Sequence, residues 1–482
     1  MSSPMEKEIF TGRKEELQEL EAFLKKKSAS LIVVKGRRRI GKSRLLDEFS
    51  KNKKTYKIVG LPPHKETTKT SQLDEFAKQL SATTGLPEIK ADDWSKLFLL
   101  LSKEASRGQV LIILDEISWM GSEDPEFLGK LKNAWDDYFK KNPELILILC
   151  GSVSTWIDEN ILNSKAFYGR VSKSLNLKPL PLKDCNRLLE AQGFKGSYYE
   201  KFKILSVTGG IPWYIEQVQG NFNSDDNIRR QCFTDGGALV DEFEMIFHDV
   251  FGKRDVTYKE IVTALVNGPI EYKDLSKKIK YKSSGRLSNY LLGLEKGGFI
   301  SKDFTYSLKT GTETRICQYR LSDNYLRFYL KYIAPKLTQI QKGNYKNVPL
   351  SSLSEWDTIM GLQFENLVLN NREKILEQLN IRAEDVVADN PYLQRKTTTK
   401  KGCQIDYLIQ TKYKNIYICE VKFSKNPVPA SVIEDVQKKI NNLQIPKSSA
   451  VLPVLIHING ITDGVVEGDY FYKIIDFSNL LA

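Results

Sequence analysis

Short runs of apolar residues punctuate the first third of the chain. They are SLIVVKG at 30–36, QVLIILDEI at 109–117 and ELILILCGS at 144–152, and each ends close to glycine or to acidic residues. Apolar runs of this length are typical of buried parallel strands, and segments with helical spacing such as RLLDEF lie between them. This alternation predicts an α/β fold with a doubly wound sheet, whose ligand lies at the carboxyl ends of the strands.

The pattern changes after residue 250. Helical spacing of apolar residues is found in TYKEIVTALVNG, EYKDLSKKIK and SSGRLSNYLLGLEKGGF, and FISKDFTYSLKTGTETRICQYRL has the pattern of two strands around a glycine-containing turn. Three helices and a hairpin predict a winged helix-turn-helix. Its third helix carries a stripe of leucine and tyrosine that belongs to the core, and the aromatic residues of the following YRLSDNYLRFYLKYI are also expected in the core.

The last quarter has a helix followed by a hairpin pattern. A connector, KLTQIQKGNYKNVPLSSLS, leads to the helix GLQFENLVLNN and then to the strands CQIDYLIQ and NIYICEVKF, joined by TKYK. In the second strand, Glu420 and Lys422 point to the face opposite Cys419 and Val421. An antiparallel register between the two strands would bring Asp406 close to Glu420.

The composition excludes several classes of protein. A hydrophobic content of 41% argues against extensive disorder, and the apolar runs are interrupted by charge well short of the ~20 residues of a membrane helix. No apolar leader is visible at the N-terminus. Six widely spaced cysteines and three histidines favour reduced thiols over a disulfide framework or a zinc site. We therefore expect a soluble cytoplasmic protein with no membrane partner.

The positive charge of the chain is concentrated in one segment. The net charge is +12, and residues 252–335 contain sixteen Lys or Arg against eight Asp or Glu. Two thirds of the excess thus lies in about one sixth of the chain, which suits a polyanionic partner such as DNA. A solvated lysine-rich face would give the same count.

A phosphate-binding loop is predicted between the first apolar run and the helix that follows it. GRRRIGKS at 36–43 has the G-x-x-x-x-G-K-S spacing in a strand–loop–helix context. The glycines let backbone N–H groups curl around phosphates, Lys42 reaches the β and γ phosphates, and Ser43 ligates magnesium. ATP and Mg²⁺ are therefore the expected cofactors.

Acidic and polar residues follow the other two apolar runs. Asp115 and Glu116 have the pattern of a Walker B element, in which Asp115 holds magnesium through water and Glu116 polarises the attacking water. Ser152 closes the third run, where a polar residue can sense the γ-phosphate. An acid that only caps a strand-to-helix turn would have the same place in the sequence as Glu116.

Further motifs resemble the archaeal-type ATPase family, a STAND-like branch of the AAA+ ATPases found in archaea and bacteria. They are FTGRKEEL at 10–17, YGR at 168–170, GIPWY at 210–214 and the later YRLSDNYLRFYLKY. The resemblance covers essentially the whole chain. It implies that the first motif lies by the adenine, that Arg170 is directed at the phosphates, and that Pro212 belongs to a helical lid that couples nucleotide state to domain arrangement.

The candidate nucleotide-binding residues combine the loop with these family positions. The three arginines of the loop recur in the family, face outward from the phosphates and are not assigned to DNA; acids of the lid or of a neighbouring subunit are their expected partners. The full set is Gly12, Arg13, Gly36, Arg37, Arg38, Arg39, Ile40, Gly41, Lys42, Ser43, Arg44, Asp115, Ser152, Arg170 and Pro212.

The helix and hairpin of the last quarter resemble the core of PD-(D/E)XK nucleases. Asp406 and Glu420 would supply hard oxygen ligands to magnesium, Lys422 would orient water or neutralise the phosphorane, and Glu365 would orient the metal or the lysine. One departure is Cys403-Gln404-Ile405, where relatives often place an acid before the aspartate. The candidate catalytic residues are Glu116, Glu365, Asp406, Glu420 and Lys422, and the metal ligands are Ser43, Asp115, Asp406 and Glu420.

The sequence leaves three hypotheses for the function of the whole chain. In the first, an ATPase positions a winged helix and a metal-dependent nuclease on DNA. In the second, the ATPase is a regulatory switch whose nuclease-like tail is silent, and in the third it is a DNA-binding regulator reset by hydrolysis. A nucleotide-dependent homo-oligomer is left open. The candidate DNA contacts are Lys277, Lys278, Lys280, Lys282, Arg286 and Asn289, although a winged helix also serves as an inter-domain lever in STAND-like ATPases.

A chain of 482 residues is too long for one core, so the motifs divide it into domains. The predicted limits are an AAA+ P-loop core at 1–175, a helical lid at 176–250, a winged helix-turn-helix at 251–335, a linker at 336–352 and a PD-(D/E)XK nuclease-like α/β domain at 353–482.

Overall fold

The computed structural model contains two compact units. The first comprises the chain up to Leu180 together with 245–253, and the second comprises 181–244 and 254–482. Residues 181–244, the larger part of the lid predicted at 176–250, thus lie in the same unit as the C-terminal half. The structure describes residues 10–482 except 63–65, 86, 88, 122–123, 153, 252–254, 282–284 and 399–400.

A parallel sheet forms the centre of the first unit. Among the described residues it has five strands in the order β2-β3-β4-β1-β5. The inner strands β1, β3 and β4 are almost fully buried, and they consist mainly of β-branched residues and leucine, as is typical of parallel strands covered on both faces. Their bounds are β1 Ser30–Lys35, β2 Lys54–Val59, β3 Val110–Asp115, β4 Leu145–Gly151 and β5 Val171–Asn176.

The α/β class and the three predicted strands of this sheet are confirmed. The sequence analysis did not find β2 and β5, whose side chains alternate between buried and exposed because both strands lie at the sheet edges. Helices pack on the sheet and contribute an aromatic cluster of Phe76, Trp94 and Phe127. The helices are α1 Lys14–Phe23, α2 Lys42–Ser50, α3 Lys69–Thr84, α4 Trp94–Glu104, α5 Ile117–Met120, α6 Phe127–Asp137 and α7 Ser154–Ile157.

The second unit begins with short helices and continues into a helix–hairpin segment. The strands β7 and β8 form an antiparallel hairpin, and a short strand β6 pairs with β8. Leu287, Leu291 and Leu294 of α15 are buried, as the predicted core stripe requires. The elements are α8 Leu182–Ala191, α9 Tyr198–Thr208, α10 Pro212–Glu216, α11 Ser224–Cys232, α12 Glu242–Phe251 (which runs into 245–253 of the first unit), α13 Asp255–Ala264, β6 Ile270–Glu271, α14 Tyr272–Lys278, α15 Gly285–Lys296, β7 Ile300–Tyr306 and β8 Glu313–Leu321.

The aromatic segment after β8 is a short helix, α16, that continues as a π-helix at 329–333 and is buried, as predicted. Within the predicted linker, the structure has a further helix, α17. Buried residues of α18 then pack on a mixed sheet. The bounds are α16 Asn324–Phe328, α17 Leu337–Gln341, α18 Trp356–Asn370 and α19 Arg372–Gln378.

The C-terminal sheet contains, among the described residues, five strands in the order β13-β12-β11-β10-β9. The strands β9, β10 and β11 form an antiparallel meander, and β12 pairs parallel to β11 after a helix crosses over. The hairpin predicted from CQIDYLIQ and NIYICEVKF is present as β10 and β11. The elements are β9 Val386–Gln394, β10 Cys403–Thr411, β11 Asn415–Lys422, α20 Ser431–Asn442, β12 Ala450–His457, α21 Asp463–Glu467 and β13 Lys473–Asp476.

Candidate functional sites

The loop between β1 and α2 has the backbone of a phosphate cradle. Gly41 has φ 92° and Arg39 has φ 67°, so the chain turns through left-handed conformations before the helix begins. A Cβ on Gly36 would lie 2.8 Å from the carbonyl oxygen of Leu177, which no ordinary side chain tolerates. The glycines at both ends of the loop are therefore required by its shape.

Lys42 is buried at the first position of α2, with only 5% of its surface exposed. Its Nζ donates to the carbonyl oxygens of Gly36 at 3.0 Å and Arg37 at 3.2 Å, and to Oγ of Ser152 at 2.8 Å. The ammonium group is thus held against the loop and against the end of β4. This is the position from which it can reach phosphate oxygens.

A chain of hydrogen bonds links Lys42 to the acid after β3. Oγ of Ser152 donates to Oε1 of Glu116 at 2.7 Å, and N–H of Ser152 donates to Oε2 at 3.1 Å. Burial raises the pKa of Glu116, and the charge of Lys42 opposes that rise. Since a base needs a pKa near the working pH, this environment suits a carboxylate that polarises water.

Ser43 and Asp115 meet at the same strand ends. Oγ of Ser43 donates to Oδ2 of Asp115 at 2.8 Å, and Nζ of Lys57 lies 3.9 Å from that oxygen. A hydroxyl beside a carboxylate is an oxygen donor set of the kind that Mg²⁺ takes together with water and phosphate. The two predicted magnesium ligands are therefore brought together.

The arginines predicted around the nucleotide have defined protein partners. Arg13 is buried, and its guanidinium donates to the carbonyl oxygens of Ile40 at 3.0 Å and Lys178 at 2.6 Å. Arg170 donates to Asp136 through Nε and Nη2, which holds the pKa of that carboxyl below its usual range. Arg13 thus stabilises the loop by binding the carbonyl oxygen of Ile40, and Arg170 forms an ion pair with Asp136 of α6.

The remaining candidates of the loop and lid differ in exposure. Ile40 is buried and Arg37 is 9% exposed, whereas Arg38, Arg39 and Arg44 are partly exposed. Gly12 has φ 79° in the turn before Arg13. Pro212 lies in the second unit, where it begins α10 after two left-handed glycines.

In the second unit, the β10–β11 register places Asp406 beside Glu420. Tyr407 pairs with Cys419, and Oδ2 of Asp406 accepts from N–H of Val421 at 3.0 Å. Nζ of Lys422 lies 2.9 Å from Oε1 of Glu420. The structure therefore assembles the acid, acid and lysine that the hairpin pattern predicted.

Glu365 faces this group from α18. Its pKa is raised to about 8, first by burial and then by the charge of Asp406, while the charges of Arg327, Arg320 and Lys439 oppose the rise. Asp406 also has a raised pKa, because it is buried beside Glu420. Three carboxyl groups thus share one buried region, although the described residues contain no group of three or more Asp, Glu, His or Cys placed to hold a metal ion.

Lys439 of α20 is a site residue that the sequence analysis missed. Its Nζ lies 2.5 Å from Oε2 of Glu420 and 3.5 Å from Oδ1 of Asp406. A signal was present, because Lys439 follows Val432 and Val436 at helical spacing on the buried face of α20. A lysine on an otherwise apolar stripe needs a buried partner.

The predicted DNA contacts lie on exposed parts of α14 and α15 and the turn after α14. Lys277, Lys280, Arg286 and Asn289 are exposed, and Lys278, also exposed, donates to the carbonyl oxygen of Ala264. Lys282 lies outside the described residues. The charge count overstates the basic surface, because Arg320 and Arg327 of the same segment are buried.

No helix in the described part of the chain is long and apolar enough to cross a membrane.

The parallel sheet, the glycine-bounded loop and the paired Ser43 and Asp115 define a P-loop nucleotide-binding domain. In agreement, residues 10–218 match the family described as "ATPase domain predominantly from Archaea". The match covers the loop, the acids after β3, Ser152, Arg170 and Pro212. It indicates an ATPase-type P-loop function for this part of the chain.

Three individual proteins illustrate what the chain is similar to in sequence or structure. Uncharacterized protein MJECL04 of Methanocaldococcus jannaschii is 27% identical over 368 residues, which are 74% of this chain and 76% of that protein. Uncharacterized ATP-binding protein MJ0423 of the same organism is 48% identical over 46 residues, 10% of this chain and 78% of that protein. The Walker-type ATPase PABY2304 of Pyrococcus abyssi is 19% identical with a TM-score of 0.47, covering 68% of this chain and 98% of that one.

Proposed function

We propose that the first unit binds ATP with Mg²⁺ and hydrolyses it, and that its nucleotide state controls a DNA-associated nuclease-like site in the second unit. The hydrogen-bond chain from Lys42 through Ser152 to Glu116 carries the ATPase half of the proposal. It joins the group that reaches the phosphates to the group that would polarise water. Ser43 and Asp115 would hold the magnesium ion, which would offset the charge of the phosphates.

Lys42→Ala tests this half. We expect it to reduce ATP hydrolysis about 100-fold or more, because the phosphates lose their buried counter-charge. Lys51→Ala is the matched control, since Lys51 follows the same helix with a side chain that is 62% exposed. ATP turnover by Lys42→Ala at the rate of the Lys51→Ala control would refute the assignment.

For the second unit we propose Mg-dependent cleavage of phosphodiesters at Asp406, Glu420 and Lys422. Two observations support it: the meander with its crossover helix has the order of elements of a PD-(D/E)XK core, and the two carboxylates meet with a lysine beside them. A divalent cation there would activate water and offset charge on the scissile phosphate. Lys422 would donate to the phosphate oxygens, and Glu365 would orient the group from α18.

A plasmid-nicking assay with Mg²⁺ or Mn²⁺ tests the cleavage. We expect the wild type to nick the plasmid and the nicking rate of Glu420→Gln to be about 100-fold or more lower. Glu434→Gln makes the same charge change at an exposed residue and is the control. Cleavage that survives Glu420→Gln would place the site elsewhere.

One observation favours a second candidate, a regulatory ATPase with a silent nuclease-like module. Both oxygens of Glu420 already have an ammonium partner, Lys422 on one and Lys439 on the other. If no condition gives nicks while ATP is hydrolysed normally, this second function replaces the first.

DNA contact belongs to the proposal through the helix–hairpin segment, which we interpret as a winged helix. Its exposed Arg286 and Asn289 lie on α15, the element that would enter a groove, and the exposed Lys277 and Lys280 lie on α14 and in the turn after it.

A further inference from the structure

Lys439 occupies the space between the two carboxylates that the proposed nuclease site assigns to a metal. Its ammonium group lies within 3.5 Å of Oδ1 of Asp406 and 2.5 Å of Oε2 of Glu420. The side chain of Glu420 is 3% exposed and that of Asp406 is 14% exposed, so water screens the contacts weakly. A single positive charge is thus shared by two buried acids.

The other oxygens of this pair are also occupied. Oδ2 of Asp406 accepts from N–H of Val421, and Oε1 of Glu420 accepts from Lys422. The two lysines differ in origin, because Lys422 extends from the same strand as Glu420 whereas Lys439 reaches in from α20. Lys439 is the group that bridges the two acids.

A divalent cation and this ammonium group exclude each other. Two like charges that bind the same oxygens in a region of low dielectric repel strongly. The lysine can leave, because its flexible four-carbon side chain is 28% exposed. Without Lys439 or a metal ion, the two acids would have Lys422 as their remaining close positive charge among the described residues, and that deficit of positive charge is costly in a buried place.

We propose that Lys439 is an internal counter-ion of the nuclease-like site, so that a divalent metal enters only by displacing it. The inference rests on the proposed function of this site and adds how the site is regulated. The phosphate backbone of a nucleic acid is an alternative partner for the displaced ammonium group. Metal loading is therefore coupled to the arrival of the polyanionic substrate.

Isothermal titration of the full chain with Mn²⁺, without nucleotide or DNA, tests the inference apart from catalysis. We expect Lys439→Met to bind Mn²⁺ about tenfold or more tightly than the wild type, since the competing charge is gone. Lys438→Met is the matched control, because Lys438 is the preceding residue of α20 with a side chain that is 70% exposed, and it should bind as the wild type does. Adding Glu420→Gln to Lys439→Met should abolish the gain and so locate the ion.

Thermal unfolding gives a second measurement, which also detects a variant that folds poorly. In EDTA, Lys439→Met should unfold at a lower temperature than the wild type, and Mn²⁺ should restore its midpoint more than that of the wild type. Lys439→Gln, which keeps a polar donor, should show the same gain in Mn²⁺ affinity. If neither variant binds Mn²⁺ more tightly than the wild type, the inference is wrong.

The outcome is separable from that of the nicking assay. A gain in Mn²⁺ affinity without nicking by any variant would support the counter-ion and reject cleavage. Nicking by the wild type with unchanged Mn²⁺ affinity in both lysine variants would support cleavage and reject the counter-ion.

Discussion

At the scale of single residues, each candidate site contains a partly buried glutamate with a raised pKa. Glu116 and Glu365 each have a pKa raised by burial, but their partners differ. Glu116 accepts two hydrogen bonds from Ser152, whereas no hydrogen bond or ion pair joins Glu365 to another residue in the described part of the chain. Glu365 therefore has the stronger reason to be protonated near neutral pH.

This difference predicts a pH dependence of stability. The pKa of Glu365 rises from its ordinary 4.5 to about 8 in the folded chain, so its contribution is full below about pH 4.5 and is lost as the pH rises through 8. The charged groups that set this pKa are Asp406, Arg327, Arg320 and Lys439. Glu365→Gln should mimic the protonated acid and remove the loss.

Thermal midpoints in EDTA between pH 5 and pH 9 check it. The midpoint of the variant should rise relative to that of the wild type as the pH rises, and the difference should become constant above about pH 8. Asp357→Asn, an exposed acid on the same helix, is the control and should give a flat difference. A flat difference for Glu365→Gln as well would show that the acid is already ionised at neutral pH.

At the scale of elements, a buried polar joint ties the helix–hairpin segment to α18. Arg320 of β8 donates to Asp303 of β7 at 2.9 Å and to Asn366 of α18, one residue beyond Glu365. Asn366 in turn donates to the carbonyl oxygen of Leu321 at 3.0 Å. The helix that carries Glu365 is thus fixed by the strands of the proposed winged helix.

Breaking this joint should destabilise the second unit. Arg320→Met leaves Asp303 buried without its partner, and we expect a loss of about 3–5 kcal/mol in the free energy of unfolding. Urea unfolding of the full chain, followed by circular dichroism, measures it. The double variant Asp303→Leu/Arg320→Met should recover part of the loss, and equal stability of Arg320→Met and wild type would show that the pair contributes nothing.

Sequence reasoning found the parts of the sites that are local. The loop at 36–43 is specified within eight residues, and the meeting of Asp406 and Glu420 follows from the period of two adjacent strands. Helical spacing places Lys439 on the buried face of α20, but the partners of Lys439 and Asn366 depend on how α20 and α18 pack, which a local pattern does not encode. Arg13 carries a family signature, but that its guanidinium binds the carbonyl oxygens of Ile40 and Lys178 is visible only in the folded chain.

At the scale of the whole molecule, DNA affinity should fall with salt. The exposed Lys277, Lys280 and Arg286 would each contact phosphate, so the slope of log affinity against log salt should be lower by about 0.9 for each one replaced by Ala. Fluorescence anisotropy with a labelled duplex measures the slope. Lys302→Ala is the control, because Lys302 belongs to β7 rather than to the helices. An unchanged slope in the triple variant would show that the proposed winged helix does not bind DNA.

The central claim is that nucleotide at the P-loop controls the C-terminal site. The most direct measurement is the rate of plasmid nicking with Mg²⁺, with and without ATP, in the wild type, Lys42→Ala and Glu116→Gln. ATP should change the nicking rate of the wild type, and the nicking rate of Lys42→Ala should not respond to ATP. Glu116→Gln should keep the nicking rate of the ATP-bound state, because it binds ATP without hydrolysing it. The same ATP response in wild type and Lys42→Ala would contradict the claim.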